Sequence, residues 1–265
     1  MDPIALMDFL GFSTGEIERM MLIAARLTGL FLTAPFFSRN VGPMRVRVVL
    51  LLSLTLVLYP LVPPWPQEGT GELGPIFFAV IGEIFIGTVI GMLAHWALVS
   101  VQVAGGIMGF QMGLSMAQVM DPTSGMQEGV LSNLLYLTVL MIFLSIDGHH
   151  LLLEGIAHSF TTLPIGGGLP RIDTILESGV TAMGQLFVIA ILISAPVIAA
   201  TKLLYLGMGL INRASPQVQV FFLAMPVAQM LGFLVMGLTM TIFGQVLIRE
   251  MEGFIRAAFK LGGIS

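Results

Sequence analysis

Three ionisable side chains at helical spacing are the first residues in this sequence that could carry chemistry. His150, Glu154 and His158 follow one another at four-residue intervals, so a helix would place all three on one face. Imidazole and carboxylate groups arranged in this way could bind a metal ion such as zinc. No HExxH motif or cysteine cluster supports such a site, and the alternative is a polar helix face at a membrane–water boundary, with Asp147 as its cap. We therefore predict no metal site and no cofactor.

Two charged residues lie well inside apolar stretches, where charge is unfavourable. Arg26 and Glu83 would each cost roughly 2.5–3.5 kcal/mol at the centre of a bilayer. They could form a pore-lining or subunit-bridging pair, or an internal ion pair. Because one pair is too little for a proton relay, we expect a structural role for both residues, with bridging between subunits favoured.

A glycine- and methionine-rich segment lies between two strongly apolar blocks. Its glycines and methionines each recur every four residues, so each set would form one stripe on a helix; the members are Gly105, Gly109 and Gly113, and Met108, Met112, Met116 and Met120. Glycine weakens a helix by roughly 1 kcal/mol relative to alanine, and methionine repacks readily. The dipeptide Asp121-Pro122 should end any helix. This composition favours a deformable plug or gate, or else a re-entrant or interfacial loop with close packing at its glycines.

Composition and hydropathy place these residues in a membrane protein. The chain has 265 residues, of which 56% are hydrophobic and 10% are charged, against roughly a quarter charged in soluble domains. A net charge of −4 leaves no basic patch for nucleic acid. There is no phosphate-cradling loop, nucleophile–base pair or pair of neighbouring acids, so no enzyme chemistry is visible. Six apolar blocks predict membrane-type helices, at about residues 17–37, 46–62, 76–104, 130–146, 179–204 and 217–248.

The order of the blocks predicts one helical unit with two halves. The break falls near residues 163–170, where the sequence LPIGGGLP is typical of a loop. Gly87 and Gly91 form a GxxxG pair that would allow close helix contact. With strict alternation across a membrane, the lysines and arginines of the loops divide evenly between the two sides, so they do not fix an orientation.

Several motifs, taken in order, resemble the FliR family of flagellar biosynthetic proteins and of the equivalent virulence secretion subunits. The resemblance covers about residues 19–250. It rests on Arg26 and on five runs, namely APFFSRNVGPMRVRVVL at 34–50, GFQMGLSMAQVMDPTSG at 109–125, DGHHLLL at 147–153, SFTTLP at 159–164 and NRASPQVQVFFLAMP at 212–226. It implies an all-α, apolar, membrane-type protein of kinked helical hairpins in two halves, a FliP-like half at about 1–165 and a FliQ-like half at about 166–265.

The resemblance also implies a function and partners. The chain would be a non-enzymatic subunit of the flagellar type III export gate, assembled with FliP and FliQ, next to FlhB, FlhA and the rod and ring proteins of the basal body. It would lie in the bacterial inner membrane in contact with lipid, with the assembled gate reaching towards the periplasm, and unfolded export substrates would pass through it. The family's plug loop corresponds to residues 106–122. We call residues 105–122 the gate segment; its expected sealing residues are Gly105, Gly106, Met108, Gly109, Phe110, Met112, Gly113, Met116, Met120, Asp121 and Pro122.

Three alternatives remain open at this level. The kinked helices and intramembrane charges are also compatible with a small-molecule secondary transporter. The same motifs would fit the equivalent subunit of a virulence type III secretion system. A membrane-embedded metalloenzyme would use His150, Glu154 and His158.

Overall fold

The chain folds into helices over the part that the computed structural model describes, which is residues 14–34, 43–65, 73–115, 129–167, 172–214, 223–240 and 243. Every regular element in these ranges is a helix, which confirms the all-α prediction. The helices are α1 (Thr14–Thr33), α2 (Met44–Leu58, followed by a 3₁₀ turn at Tyr59–Leu61), α3 (Leu73–Gln111), α4 (Val130–Ser145), α5 (Gly148–Thr162), α6 (Ile172–Ala214) and α7 (Leu223–Met240).

Four of the described helical stretches are long and apolar enough to cross a membrane. They are Met44–Leu61, Gly74–Gln111, Ile172–Ala214 and Leu223–Met240. A fifth span results if α4 and α5, which meet at an angle of 68°, are counted as one broken crossing. At 1.5 Å per residue, α3 and α6 are about 58 and 65 Å long, about twice the hydrocarbon thickness of a bilayer. The predicted membrane-type character is therefore confirmed.

Each of the six apolar blocks overlaps a described helix, but the long helices extend beyond their blocks; α6 begins seven residues before and ends ten residues after the block at 179–204. Two further differences are informative. First, α3 continues to Gln111 and so includes the first residues of the gate segment, although glycines recur there. Second, α5 is a separate helix that was not among the six blocks, because histidine and glutamate residues interrupt its short apolar runs. α1 corresponds to the first block, but it is not among the stretches apolar enough to span. Instead it is the most buried helix, since Leu22, Ile23 and Leu27 have no exposed surface.

The contacts divide the chain into two compact units that interleave along the sequence. The first unit comprises Met1–His95, Asp147–Ala182 and Gly253–Ser265, and the second comprises Trp96–Ile146 and Met183–Glu252. α3 and α6 each contribute residues to both units. The division into a FliP-like half at 1–165 and a FliQ-like half at 166–265 stays a prediction.

Within the first unit, α1 and α3 cross at backbone contact. A Cβ atom placed on Gly87 would overlap the carbonyl oxygen of Arg26 and would lie 3.0 Å from the amide nitrogen of Leu30. A Cβ atom on Gly29 would lie 2.7 Å from the amide nitrogen of Thr88. The crossing is so close that the Thr33 hydroxyl donates a hydrogen bond to the Thr88 carbonyl, at 3.2 Å. The close contact expected at the GxxxG pair is therefore present, and it places the two buried charged residues next to each other.

We expect Gly87→Ala to destabilise the protein, because the added methyl group must push α1 and α3 apart. Forced overpacking typically costs about 1–3 kcal/mol, which outweighs the gain of about 1 kcal/mol in helix propensity. Gly82→Ala is the matched control on the same helix, since nothing lies within 4 Å of its added Cβ atom. Thermal unfolding in detergent should show a lower midpoint for Gly87→Ala than for Gly82→Ala. Equal midpoints, or a more stable Gly87→Ala, would contradict the close crossing.

Candidate functional site: a buried charge pair and the root of the gate segment

Arg26 and Glu83 form a buried ion pair inside the first unit. Arg26 lies on α1 and Glu83 on α3, one helical turn before the glycine that lets the two helices touch. The Arg26 Nε donates to Glu83 Oε2 at 2.5 Å, and the two side chains are 0% and 3% exposed. The pair takes the arrangement of an internal ion pair, which was the alternative to a pore-lining or subunit-bridging one. Contact with a neighbouring subunit stays a prediction.

The remaining polar atoms of this pair bind the end of α5 and the turn that follows it. The two terminal nitrogens of Arg26 donate to Ser159 Oγ at 3.0 Å and to the Leu163 carbonyl at 2.8 Å. The second oxygen of Glu83 accepts a hydrogen bond from the Gly166 amide at 3.1 Å. Since Leu163 is the C-cap residue of α5, Arg26 also places its positive charge at a helix C-terminus, where cations are favourable. The two charges thereby hold α1, α3 and α5 together.

Two aromatic rings pack against the residues of this network. The Arg26 guanidinium lies over the Phe160 ring, 4.1 Å from its centroid. Gly166 has a left-handed φ of +68°, and its missing side chain leaves room for the indole of Trp65, which is 5% exposed. Sequence reasoning identified Arg26 and Glu83 but missed these supporting residues. The SFTTLP and LPIGGGLP runs contain all of them except Trp65, although nothing in the spacing of these runs pointed to Arg26.

The gate segment begins inside α3 and leaves that helix at a glycine cap. Gly113 has φ +77°; its amide donates to the Phe110 carbonyl at 3.1 Å, and the Leu114 amide donates to the Gly109 carbonyl at 2.9 Å. These are the two hydrogen bonds of a Schellman cap, in which a left-handed residue ends the helix. Gly113 thus has a definite role at the C-terminus of α3.

The other described residues of the gate segment are packed to different extents. Met108 and Met112 have no exposed surface, whereas Phe110, between them on the opposite side of the helix, is 70% exposed. Gly105 is in close contact with α4 of the second unit, since a Cβ atom there would lie 2.7 Å from the Cα atom of Ser132. Gly106 and Gly109 have more space. Met116, Met120, Asp121 and Pro122 lie outside the described residues, so the sealing role of the whole segment stays a prediction.

The histidine-rich stretch forms a different group from the one its spacing suggested. Among the described residues, the ligand atoms that come within 4.8 Å of one another are those of Asp147, His149 and His150, and not those of His150, Glu154 and His158. Asp147 is the N-cap residue of α5, as expected, but its side chain makes no capping hydrogen bond. Its carboxylate lies 3.4 Å from His150 Nδ1 instead, and both side chains are at least 70% exposed. Water can therefore solvate these groups.

We expect Glu83→Gln to destabilise the protein by about 3–5 kcal/mol, since it leaves the Arg26 charge buried without a counter-ion. Arg26→Leu should have a similar effect for the same reason. The double variant Arg26→Leu/Glu83→Gln should recover much of the loss, because neither charge then remains. Glu177→Gln is the matched control: the same chemical change on an exposed residue of α6, expected to stay within about 0.5 kcal/mol.

Unfolding midpoints in detergent for the single and double variants give the coupling between the two charges. Additive effects of the two single substitutions, or a Glu83→Gln protein as stable as Glu177→Gln, would show that the pair is not the connection described here.

The chain matches known bacterial export proteins over most of its length. The family model described as "Bacterial export proteins, family 1" matches residues 17–254. The flagellar biosynthetic protein FliR of Escherichia coli (strain K12) is 32% identical over 221 residues, which cover 81% of each chain. The FliR protein of Bacillus subtilis (strain 168) is 28% identical over 84% of this chain and 86% of its own length. The Yop proteins translocation protein T of Yersinia pestis is 29% identical over 81% of this chain and 83% of its own length.

These matches extend over both features described above. The matched residues include Arg26 and Glu83, the close crossing of α1 with α3, and the entire gate segment. Together with the apolar helices that can span a membrane, they show that this chain is an integral membrane protein belonging to the FliR family of bacterial export proteins.

Proposed function

We propose that the chain is a non-enzymatic subunit of the flagellar type III protein export gate, that it forms part of the export channel, and that its gate segment closes that channel. The observation that carries this proposal is the family match over residues 17–254, in which relatives named FliR match over four-fifths or more of their length. The gate lies in the inner membrane within the flagellar basal body and reaches towards the periplasmic side.

The exposed surface of the chain supports assembly with apolar partners. Large hydrophobic side chains are exposed along α2, α6 and α7, among them Met44, Leu56, Val180, Leu203 and Met230. Contiguous apolar surface of this kind mostly meets lipid or another protein. In the proposed gate, FliP, FliQ and lipid cover these faces, while FlhB, FlhA and the rod and ring proteins contact the assembled complex.

The gate segment has the physical properties that a reversible seal requires. Apolar constrictions block ions by excluding water, so a seal needs no charged residue. Met108 and Met112 are buried against the chain itself and support the segment, whereas the Phe110 ring is exposed. In the proposed seal, Phe110 acts together with Met116 and Met120, which follow it in the sequence. Soft thioether side chains can close around a passing chain and repack afterwards.

A secondary transporter would need polar groups that can bind a substrate. In the first unit, the buried Arg26 and Glu83 use their nitrogens and oxygens on each other, on Ser159, on the Leu163 carbonyl and on the Gly166 amide. Because these polar atoms already have partners, a structural role is favoured over substrate binding. In the proposed function, the driving energy for export comes from other components.

The plug can be tested by replacing its sealing side chains. In the assembled complex, Phe110→Ala/Met116→Ala/Met120→Ala should raise ion leakage and slow growth on expression, because the constriction is wider and wetter. Met21→Ala/Met141→Ala is the matched control, as both methionines are exposed but lie outside the gate segment and outside α2, α6 and α7. Ion conductance of the membrane and co-purification with FliP and FliQ are measured together. A complex that assembles and stays as tight as the control would contradict the plug.

The similarity to the Yersinia pestis translocation protein favours a second candidate, the equivalent subunit of a virulence secretion system. The two can be separated by deleting the gene in its own bacterium. Loss of filament-protein secretion and of motility supports the flagellar assignment. Normal motility with loss of effector secretion into host cells supports the virulence assignment instead.

A further inference from the structure

The root of the gate segment, residues 108–113, is bound to two other helices of the second unit. Met112 contacts Gly232 on α7, and Gln111 contacts Tyr205 on α6. The sequence analysis had singled out neither Gly232 nor Tyr205. These contacts bear on how the gate segment is held.

Met112 occupies a notch in α7 that exists because residue 232 has no side chain. A Cβ atom on Gly232 would lie 2.6 Å from Met112 Cγ, 2.7 Å from its sulfur and 2.8 Å from its methyl carbon. Ala224 and Ala228 lie on the same face of α7 at four-residue spacing, and both are buried. The Met112 side chain therefore packs into this notch from Cγ to its methyl carbon, and it has no exposed surface.

Tyr205 adds a polar contact at the same place. Its hydroxyl donates a hydrogen bond to the Gln111 carbonyl at 3.2 Å. Gln111 is the last residue of α3, so its carbonyl is one of those that a helix end leaves without a partner inside the helix. In an apolar environment such a carbonyl needs a donor, and a hydroxyl from α6 supplies one.

We infer that Gly232 and Tyr205 are positioning residues for the gate segment: they fix its root, residues 108–113, to α7 and α6. Met112 is then an anchor and not a sealing side chain. This inference rests on the proposed function, since it specifies which part of the plug is held in place.

The test uses the full chain in its assembled complex, with a reporter at residue 115, just after the root. Because the chain has no cysteine, Ser115→Cys gives it a single labelling site, and its reaction rate with a maleimide is followed on the separated subunit. Adding Gly232→Ala should speed labelling by roughly tenfold or more, because the methyl group expels Met112 from its notch. Gly237→Ala, on the same helix with nothing within 4 Å of its added Cβ atom, should leave the rate unchanged.

A double-mutant cycle shows whether the effect passes through Met112. In a Met112→Ala background the labelling rate is already high, and Gly232→Ala should add little to it, because the side chain it displaces is gone. Unchanged labelling in Gly232→Ala, or an equal acceleration in both backgrounds, would overturn the inference.

Tyr205→Phe provides a variant that keeps the shape of the packing. It removes one hydroxyl and should speed labelling by roughly two- to tenfold, the effect expected for one hydrogen bond. Should Gly232→Ala fail to assemble, this variant decides: a faster rate supports the anchor and an unchanged rate overturns it.

The anchor and the plug can fail separately. Faster labelling without any rise in ion leakage supports the anchor and contradicts the proposed plug. The labelling rate could instead be unchanged in Gly232→Ala and Tyr205→Phe, while the complex leaks when Phe110, Met116 and Met120 are replaced by alanine. That result overturns the anchor alone.

Discussion

The burial of one arginine and one glutamate constrains the first unit of this protein more than any other feature described. A charge removed from water is stable only when an opposite charge and enough hydrogen bonds surround it. Here Arg26 and Glu83 satisfy each other, and their remaining atoms bind the Ser159 hydroxyl, the Leu163 carbonyl and the Gly166 amide. Every one of these partners must be in place at once. The pair therefore fixes the position of α1, the register of α3 and the end of α5 together.

The second unit depends on steric fit, because lipid tails are as apolar as leucine and give helices little hydrophobic reason to associate. Gly105 allows α3 to approach the backbone of α4, and Gly232 admits the Met112 side chain into α7. Each contact requires a residue with no side chain at one position. A single added methyl group is consequently a large perturbation there, while at Gly237 or Gly184 it meets open space.

The sequence allowed the apolar helices other than α5, the loop near residue 163 and the GxxxG crossing to be predicted, because apolar length and glycine spacing are local signals. It did not show which faces are buried, since α3 and α4 are apolar on all sides and carry no periodic polar face. Met108 and Met112 were expected to seal a channel, and the structure buries both within the chain. For Met112 this difference depends on Gly232, which is 120 positions away and gives no local signal. Similarly, the acceptors for the terminal nitrogens of Arg26 follow more than 130 residues later.

The two units are held together in different ways. A saturated charge network fixes the first unit, whereas backbone-close contacts and a buried methionine fix the helices of the second. A gate in an export channel needs a rigid support, because the membrane must stay sealed to ions while a wide polypeptide passes. In the proposed function, Met108–Gly113 is the fixed part of the gate segment, and the segment closes the channel.

High-resolution imaging of the intact complex without substrate tests this central claim most directly. We predict that residues 116–122 cross the axial conduit, with the Met116 and Met120 side chains meeting apolar groups of neighbouring subunits. An image that placed these side chains against lipid, with the conduit closed by other residues, would contradict it.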